Sequence, residues 1–288
     1  MQEAIHEERA RALLRRHPGG RQLAMARFSP ITGGQLNRSW RADTDGGSYF
    51  VRLARGETGL LGADRHGEAA LLDLASRAGL APALVLADPD AGLLVTQFLD
   101  GRVLTREEAA EPLHLARVGQ LLRELHALAP TPGIRKLEFA AQARHLERQL
   151  GRDKGVHAGL RGRAATVFAR LEAAPARVVP CHNDVHCRNL HCDGRILRLV
   201  DWEYGGVGDP VFDVAGYFSH HPLDAGKAAA LLDAYGAGFD AARLQDARWA
   251  YDYVQWLWYR VAARMTDPVD VGLEACAVAL AKRLRASN

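Results

Sequence analysis

Apolar positions recur every second residue in the first hundred residues, and at helical spacing in most of the rest. "MARFSPI" and "SWRAD" read as short strands joined through the turn at Gly33-Gly34, and "SYFVRLA" as a third strand after the Asp45-Gly46-Gly47 hairpin signal. In "DRHGEAALLDLASRAGL" the positions Ala69, Leu72, Ala75 and Ala78 fall at helical spacing and are closed by Gly79 and Pro82, which predicts a helix over about 64–79. "ALVLADPDAGLLVTQFL" predicts a hairpin turning on Asp88-Pro89-Asp90. A charged segment, "MQEAIHEERARALLRRHPGG", precedes all of this and mixes Glu and Arg at helical spacing. Residues 1–100 therefore predict a mostly antiparallel sheet with one helix laid across it.

The pattern changes after "LDGRVLT". "EPLHLARVGQLLRELHAL", "EFAAQARHLERQL", "RGRAATVFARLEAA", "AGKAAALLDAYGAGF", "AARLQDARWAYDYVQWLWYRVAARM" and "DVGLEACAVALAKRLRA" all carry the helical period. The stretch 178–210 interrupts them with strand-like pieces and a hairpin turning at Asp193-Gly194. The reading is an α+β chain: a small β lobe over 1–100 and a larger helical lobe over 101–288, meeting near Asp100-Gly101 with a cleft between them.

Composition narrows the function. The chain has 288 residues, 48% of them apolar and 25% charged, as in ordinary soluble globular proteins. A net charge of +3 without a basic run argues against nucleic acid. No segment resembles a signal peptide or a membrane span, and four cysteines with three crowded together do not form a secreted disulfide framework. A cytoplasmic protein without a membrane or obligate protein partner is expected. Arginine dominates the cations; the lysines are Lys136, Lys154, Lys227 and Lys282.

The chemistry is concentrated in "CHNDVHCRNLHCDGRILRLVDWEYGGVGDP", which admits two readings. Structural zinc takes thiolates and imidazoles in closely spaced pairs. His182 and His186 have such a spacing, but the cysteines do not and no second pair follows; Cys276 sits alone in an alanine-rich helix. Phosphoryl transfer from ATP instead needs a carboxylate to orient the attacking hydroxyl and oxygen ligands to hold magnesium. Asp184 suits the first task, Asn189 and Asp201 the second, and the intervening hairpin returns Asp201 to the loop.

H-x-D-x-x-x-x-N followed by an apolar strand and "DWE" resembles the catalytic core of the aminoglycoside phosphotransferase and choline kinase superfamily, small-molecule relatives of the protein kinases. "GGQLNRSW" is similar to that family's phosphate loop, "YFVRLA" to its nucleotide-anchoring strand, "VTQFLDG" to its adenine hinge, "LRELHAL" to the helix ahead of the catalytic region and "DWEYGGVGDPVFDVA" to the segment after it. The resemblance implies a bilobal protein-kinase-like fold using ATP and Mg2+, with a nucleotide and a small-molecule alcohol as partners. It implies Asp184 as base, Asn189 and Asp201 as magnesium ligands, and Gly33, Gly34, Asn37, Arg52, Glu68, Gln97 and Leu99 around the nucleotide. It also implies His182 and Asp213 as supports of the catalytic loop (182–189). No lysine precedes Lys136, so Arg52 stands where protein kinases carry a strand lysine; it can pair with Glu68 and bind phosphate bidentately. Asp201 is followed by Trp202-Glu203 and soon by Asp209-Pro210, which leaves no activation loop for a protein substrate.

The acceptor pocket is expected in the C-terminal helices. Trp249, Tyr253 and Trp256 share one helical face, with Trp258 and Tyr259 partly off it. Trp256, Tyr259 and Glu203 are the candidate acceptor contacts, Asp252 reads as a solvated helix position, and His220-His221 as a helix-end feature. Aromatic faces attract cations by roughly 0.5–2 kcal/mol. A small cationic alcohol follows: thiamine first, choline or ethanolamine next, then an aminoglycoside. From other classes, an inactive kinase-like binding module and a zinc protein remain open.

Overall fold

The computed structural model describes residues 2–31, 37–54, 58–151, 157–173, 177–236, 238–265 and 270–286. Gly33 and Gly34, with Gln35 and Leu36 of the expected phosphate loop, lie outside the described residues.

Helix α1 (Gln2–Arg16), a tight turn at Pro18–Gly20 and the short α2 (Arg21–Ala24) lead into β1 (Arg27–Ile31), β2 (Asn37–Thr44) and β3 (Gly47–Ala54). Then come α3 (Arg65–Arg77), β4 (Leu84–Asp88) and β5 (Leu93–Gln97). These strands form one antiparallel sheet in the order β1-β2-β3-β5-β4. The two-residue period decides its faces. Trp40, Ala42, Val51, Leu53, Leu93 and Val95 bury one face against α1 and α2. Arg52 and Leu94 point the other way, to the side covered by α3. The Asp64 side chain caps α3 by accepting from Gly67 N at 3.2 Å, which fixes the helix start.

After β6 (Arg102–Val103) and α4 (Arg106–Ala109) come the helices α5 (Pro112–Ala127), α6 (Phe139–Leu150) and α7 (His157–Ala173). Strands β7 (Val179–Cys181), β8 (Leu190–Cys192), β9 (Leu197–Leu199) and β10 (Gly206–Gly208) lie in the stretch 178–210. They are followed by α8 (Val211–His220), α9 (Ala225–Tyr235), α10 (Ala241–Arg264) and α11 (Val271–Ala286). β6, β8 and β9 form one small sheet and β7 pairs with β10. Elements as short as β6, α4 and β10 are too brief to carry a readable period, which is why the sequence pattern missed them.

Two cores hold this helical part. One gathers α6, α7, α8, α10 and α11; the other packs α5, the β8–β9 hairpin and α9 against Leu71, Leu72 and Ala75 of α3. The connection from β3 to α3 also crosses over: Leu61 is fully buried in the first of these cores. Among the described residues, no helix is long and apolar enough to cross a membrane.

Candidate active site

The loop after β7 is held from below by Asp213. Its fully buried carboxylate accepts from His182 N at 2.9 Å and Asn183 N at 2.5 Å, and meets His126 Nε2 at 2.9 Å. Asn183 takes a left-handed conformation, φ 63°, and its side-chain amide donates to Tyr204 O at 3.2 Å. His182 Nε2 donates to Val200 O at 3.0 Å while its ring stands edge-on to Trp202. Burial lowers its pKa despite neighbouring carboxylates, so it is a neutral strut. Asp213 thus meets the loop backbone at His182 and Asn183, and His182 meets the backbone at Val200.

Asp184 projects from the loop this creates. Asn189 Nδ2 donates both to its carbonyl and to its Oδ2, each at 2.9 Å, which fixes the carboxylate. His186 Nε2 lies 3.4 Å from the same oxygen. Burial pushes the Asp184 carboxyl up, but His186 and further histidines outweigh it, and the group sits well below the usual carboxylate range. Val200 N donates to Asn189 O at 3.0 Å, which brings the segment after β9, with Asp201, beside the loop; Asp201 is also left-handed, φ 64°.

From the sheet side, Arg52 reaches into the same cleft. It pairs with Glu68 of α3, lies 3.2 Å from Asp201 Oδ1 and 3.8 Å from Glu203 Oε2. Burial opposes its charge, but Glu68, Glu203 and Asp201 prevail and hold the guanidinium above its usual pKa. Asn37 Nδ2 donates to Glu203 Oε2 at 3.1 Å. Burial and Asp201 lift Glu203 to about 8 against the pull of Arg52. Expected as an acceptor contact, Glu203 instead belongs to the Arg52 cluster and does not line the acceptor cavity. Gln97 closes β5 and Leu99 follows in the connection to the second lobe.

On the other side of Asp184 a cavity of about 150 Å³ opens. One stripe of α10 supplies much of its wall: Tyr251, Val254, Gln255, Trp258 and Tyr259, at the spacing i, i+3, i+4, i+7, i+8. Tyr259 is where it was expected. Trp256 is not: it is 2% exposed and packs with Tyr253, which stacks on Trp249, in the helical core. The three-residue stripe that looked most aromatic is the core face, and the cavity face lies about half a turn away. Sequence reasoning also missed Tyr204, His186, Gln142 and His220 in this wall. His220 does end α8, as expected, but its Nε2 meets Tyr251 OH at 3.2 Å. Asp252 is not solvated; it is buried and bonded to Ser219 and Arg283.

The cysteine and histidine cluster does not assemble a metal centre. Among the described residues, the metal-compatible triad is His126, Cys181 and Asp213, and its His and Asp already satisfy each other. Cys187 N donates to His221, and Cys192 Sγ accepts from Gly194 N in the β8–β9 turn.

Residues 27–246 match the model of the phosphotransferase enzyme family. The chain is similar to a choline/ethanolamine kinase family protein from Mesorhizobium loti, with 25% identity, TM-score 0.79, and coverage of 97% of this chain and 94% of that one. Protein LicA of Haemophilus influenzae is 26% identical over 212 residues, 72% of this chain and 62% of its own length. Thiamine kinase of Salmonella heidelberg is 38% identical over 88 residues, 31% of this chain and 29% of its own. The chain thus spans less than two thirds of these two curated relatives.

Proposed function

The chain belongs to the phosphotransferase enzyme family, and from that premise we propose that it transfers the γ-phosphoryl group of ATP to the hydroxyl of a small cationic alcohol. The observation that carries this reading is the position of Asp184. It stands between a cleft lined by Arg52, Glu68 and Asp201 and a separate aromatic cavity in which it is the sole carboxylate among the lining residues.

The residues fit the cofactors this reading needs. Buried Arg52 Nε, Asn37 Oδ1 and Glu68 Oε1 have no hydrogen-bond partner among the described residues, which suits a cleft built around a polar ligand. Asn189 commits its amide nitrogen to Asp184 and so offers Oδ1, while Asp201 offers a carboxylate; two oxygens are the donors that magnesium prefers. A bound magnesium ion would supply positive charge against the phosphates.

Arg52 would hold phosphate oxygens by its guanidinium fork, with Glu68 fixing its orientation. Asn189 holds Asp184 so that its carboxylate can accept the hydrogen bond of an incoming hydroxyl and take its proton as the oxygen attacks. The low proton affinity of Asp184 makes it an orienting group that gains the proton late, in keeping with a loose transition state. The rings of Tyr204, Tyr251, Trp258 and Tyr259 would receive a cation, and one carboxylate matches one positive charge better than several.

Thiamine leads among the acceptors and choline or ethanolamine stand beside it, in line with the names of the similar proteins. A coupled ADP-release assay with thiamine, choline, ethanolamine and an aminoglycoside panel tests the reading. Magnesium-dependent turnover of a monocationic alcohol is expected; turnover confined to aminoglycosides, or none with any acceptor, overturns it.

A further inference from the structure

Three side-chain amides line the acceptor cavity: Asn183, Gln142 and Gln255. Each commits its NH2 group to the protein. Asn183 Nδ2 donates to Tyr204 O at 3.2 Å, Gln142 Nε2 to Leu61 O at 3.1 Å, and Gln255 Nε2 to Tyr251 OH at 3.2 Å. For the first two the orientation is forced, because a backbone carbonyl can only accept. The three amide oxygens have no partner among the described residues.

The aromatic wall has little hydrogen bonding left to offer. Trp258 Nε1 donates to Tyr204 OH at 2.8 Å, and Tyr251 OH is shared between Gln255 and His220. Burial holds His220 near pKa 3, so it adds no positive charge. The acceptors left to a ligand are three amide oxygens and the Asp184 carboxylate, beside the Tyr204 hydroxyl proton and the His186 ring as donors. A ligand matching them must bring donors, and one that brings none leaves buried acceptors unpaired on binding.

We propose that the acceptor alcohol carries N–H donors, as a primary ammonium or an amino-substituted cationic ring, and that Gln255 and Gln142 select it over a quaternary ammonium alcohol lacking them. This rests on the reading of the cavity as the site of a cationic alcohol. The aromatic wall attracts either kind of cation; the amide oxygens distinguish them. Sites that hydrogen-bond a substrate group discriminate strongly against analogues without it, whereas apolar walls do not.

The experiment compares matched pairs: ethanolamine with choline, and thiamine with an analogue whose exocyclic amino group is replaced by a methyl group. The two pairs distinguish the two sources of N–H. In at least one pair, kcat/KM for the N–H-bearing member should exceed that of its partner tenfold or more. Gln255→Met, which keeps the bulk and removes the oxygen, should shrink that ratio at least threefold, chiefly by raising KM for the N–H-bearing member. A urea midpoint and a KM for ATP close to the parent's report intact folding. Gln255→Leu serves the same comparison if Gln255→Met fails to fold. Preference for the member without N–H in both pairs, or a ratio that neither variant moves, overturns the proposal while leaving a cationic-alcohol kinase in place. Turnover of none of the four overturns both readings.

Discussion

Arg52 Nη1 lies 3.2 Å from Asp201 Oδ1, across the cleft from the strand that carries the arginine. The side chain is at the same time paired with Glu68, so one guanidinium ties the sheet, α3 and the segment after β9 together. Only a planar fork with several donors can make these contacts at once.

Arg52→Ala should therefore act on both stability and nucleotide binding. It leaves Glu68 and Glu203 buried without their cation, and breaking a buried pair in this way costs about 3–5 kcal/mol. The urea midpoint should fall accordingly, and the KM for ATP should rise at least tenfold. Arg52→Lys should recover part of the stability and little of the KM, because a point charge cannot reproduce the fork. A KM unchanged in both variants would move phosphate anchoring elsewhere.

Asp184→Ala should lower kcat by two or more orders of magnitude, with ATP affinity within about threefold of the parent, since the change removes the proton acceptor and leaves the Arg52 cluster intact. Asp201→Ala should do the reverse and abolish magnesium-dependent nucleotide binding, measured by calorimetry with and without the metal. Near-full turnover by Asp184→Ala would end its assignment as base.

The loop residues were legible because their chemistry is local: Asp184 and Asn189 are five residues apart, and a single hairpin returns Asp201. The sheet and α3 were legible from period and turn residues. The cavity was not. Trp256 and Trp258 differ by two positions on one helix, and which faces the core depends on α6, α7 and α11 packing against α10. Asp252 read as solvated because nothing near it in sequence reveals Ser219 and Arg283. Gln142 and Gln255 carry no motif at all; their meaning comes from which atom each has committed. His186 and His220 were visible as residues, yet their meeting at 5.0 Å joins a loop to a helix end thirty-four positions on.

His221 sets a pH dependence. Its Nε2 accepts from Cys187 N at 3.3 Å and its Nδ1 faces Tyr217 O at 3.0 Å, so the neutral ring holds the loop at Cys187 and a proton on Nε2 would break that bond. Burial depresses its pKa to about 4, and that of His220 to about 3. Below the unfolded value of about 6.5, the unfolded chain takes up protons that these two folded residues refuse. Each then removes about 1.4 kcal/mol of stability per pH unit, down to its folded value. His186, raised by Asp184 against its own burial, and Glu203, lifted to about 8, work the other way, but burial lowers His182 and His191 as well, so four histidines stand against these two groups. The urea midpoint should fall as pH goes from 7 to 5, and His221→Asn should flatten that fall. A midpoint independent of pH over this range would show that neither histidine is held neutral.

Leu61 offers a test of how the nucleotide cleft is kept in register. The segment from β3 to α3 is fastened to the helical lobe at three successive carbonyls: Leu60 O meets His145 Nε2 at 3.0 Å, Leu61 O accepts from Gln142 at 3.1 Å, and Gly62 O accepts from Arg135 at 2.6 Å. Gly62 has φ +88°, and a Cβ there would collide with the Gln142 amide, so the approach requires glycine. Asp64 N then donates to Glu203 O at 3.2 Å just before α3 begins. Because α3 carries Glu68, these fastenings fix the partner of Arg52. Leu61→Ala should cost about 2–5 kcal/mol as a buried truncation and also raise the KM for ATP severalfold. Leu284→Ala, a truncation in the same core but on α11, should cost a similar amount and leave that KM alone. Equal effects of the two on KM would mean that the segment contributes bulk to the core and no alignment to the cleft.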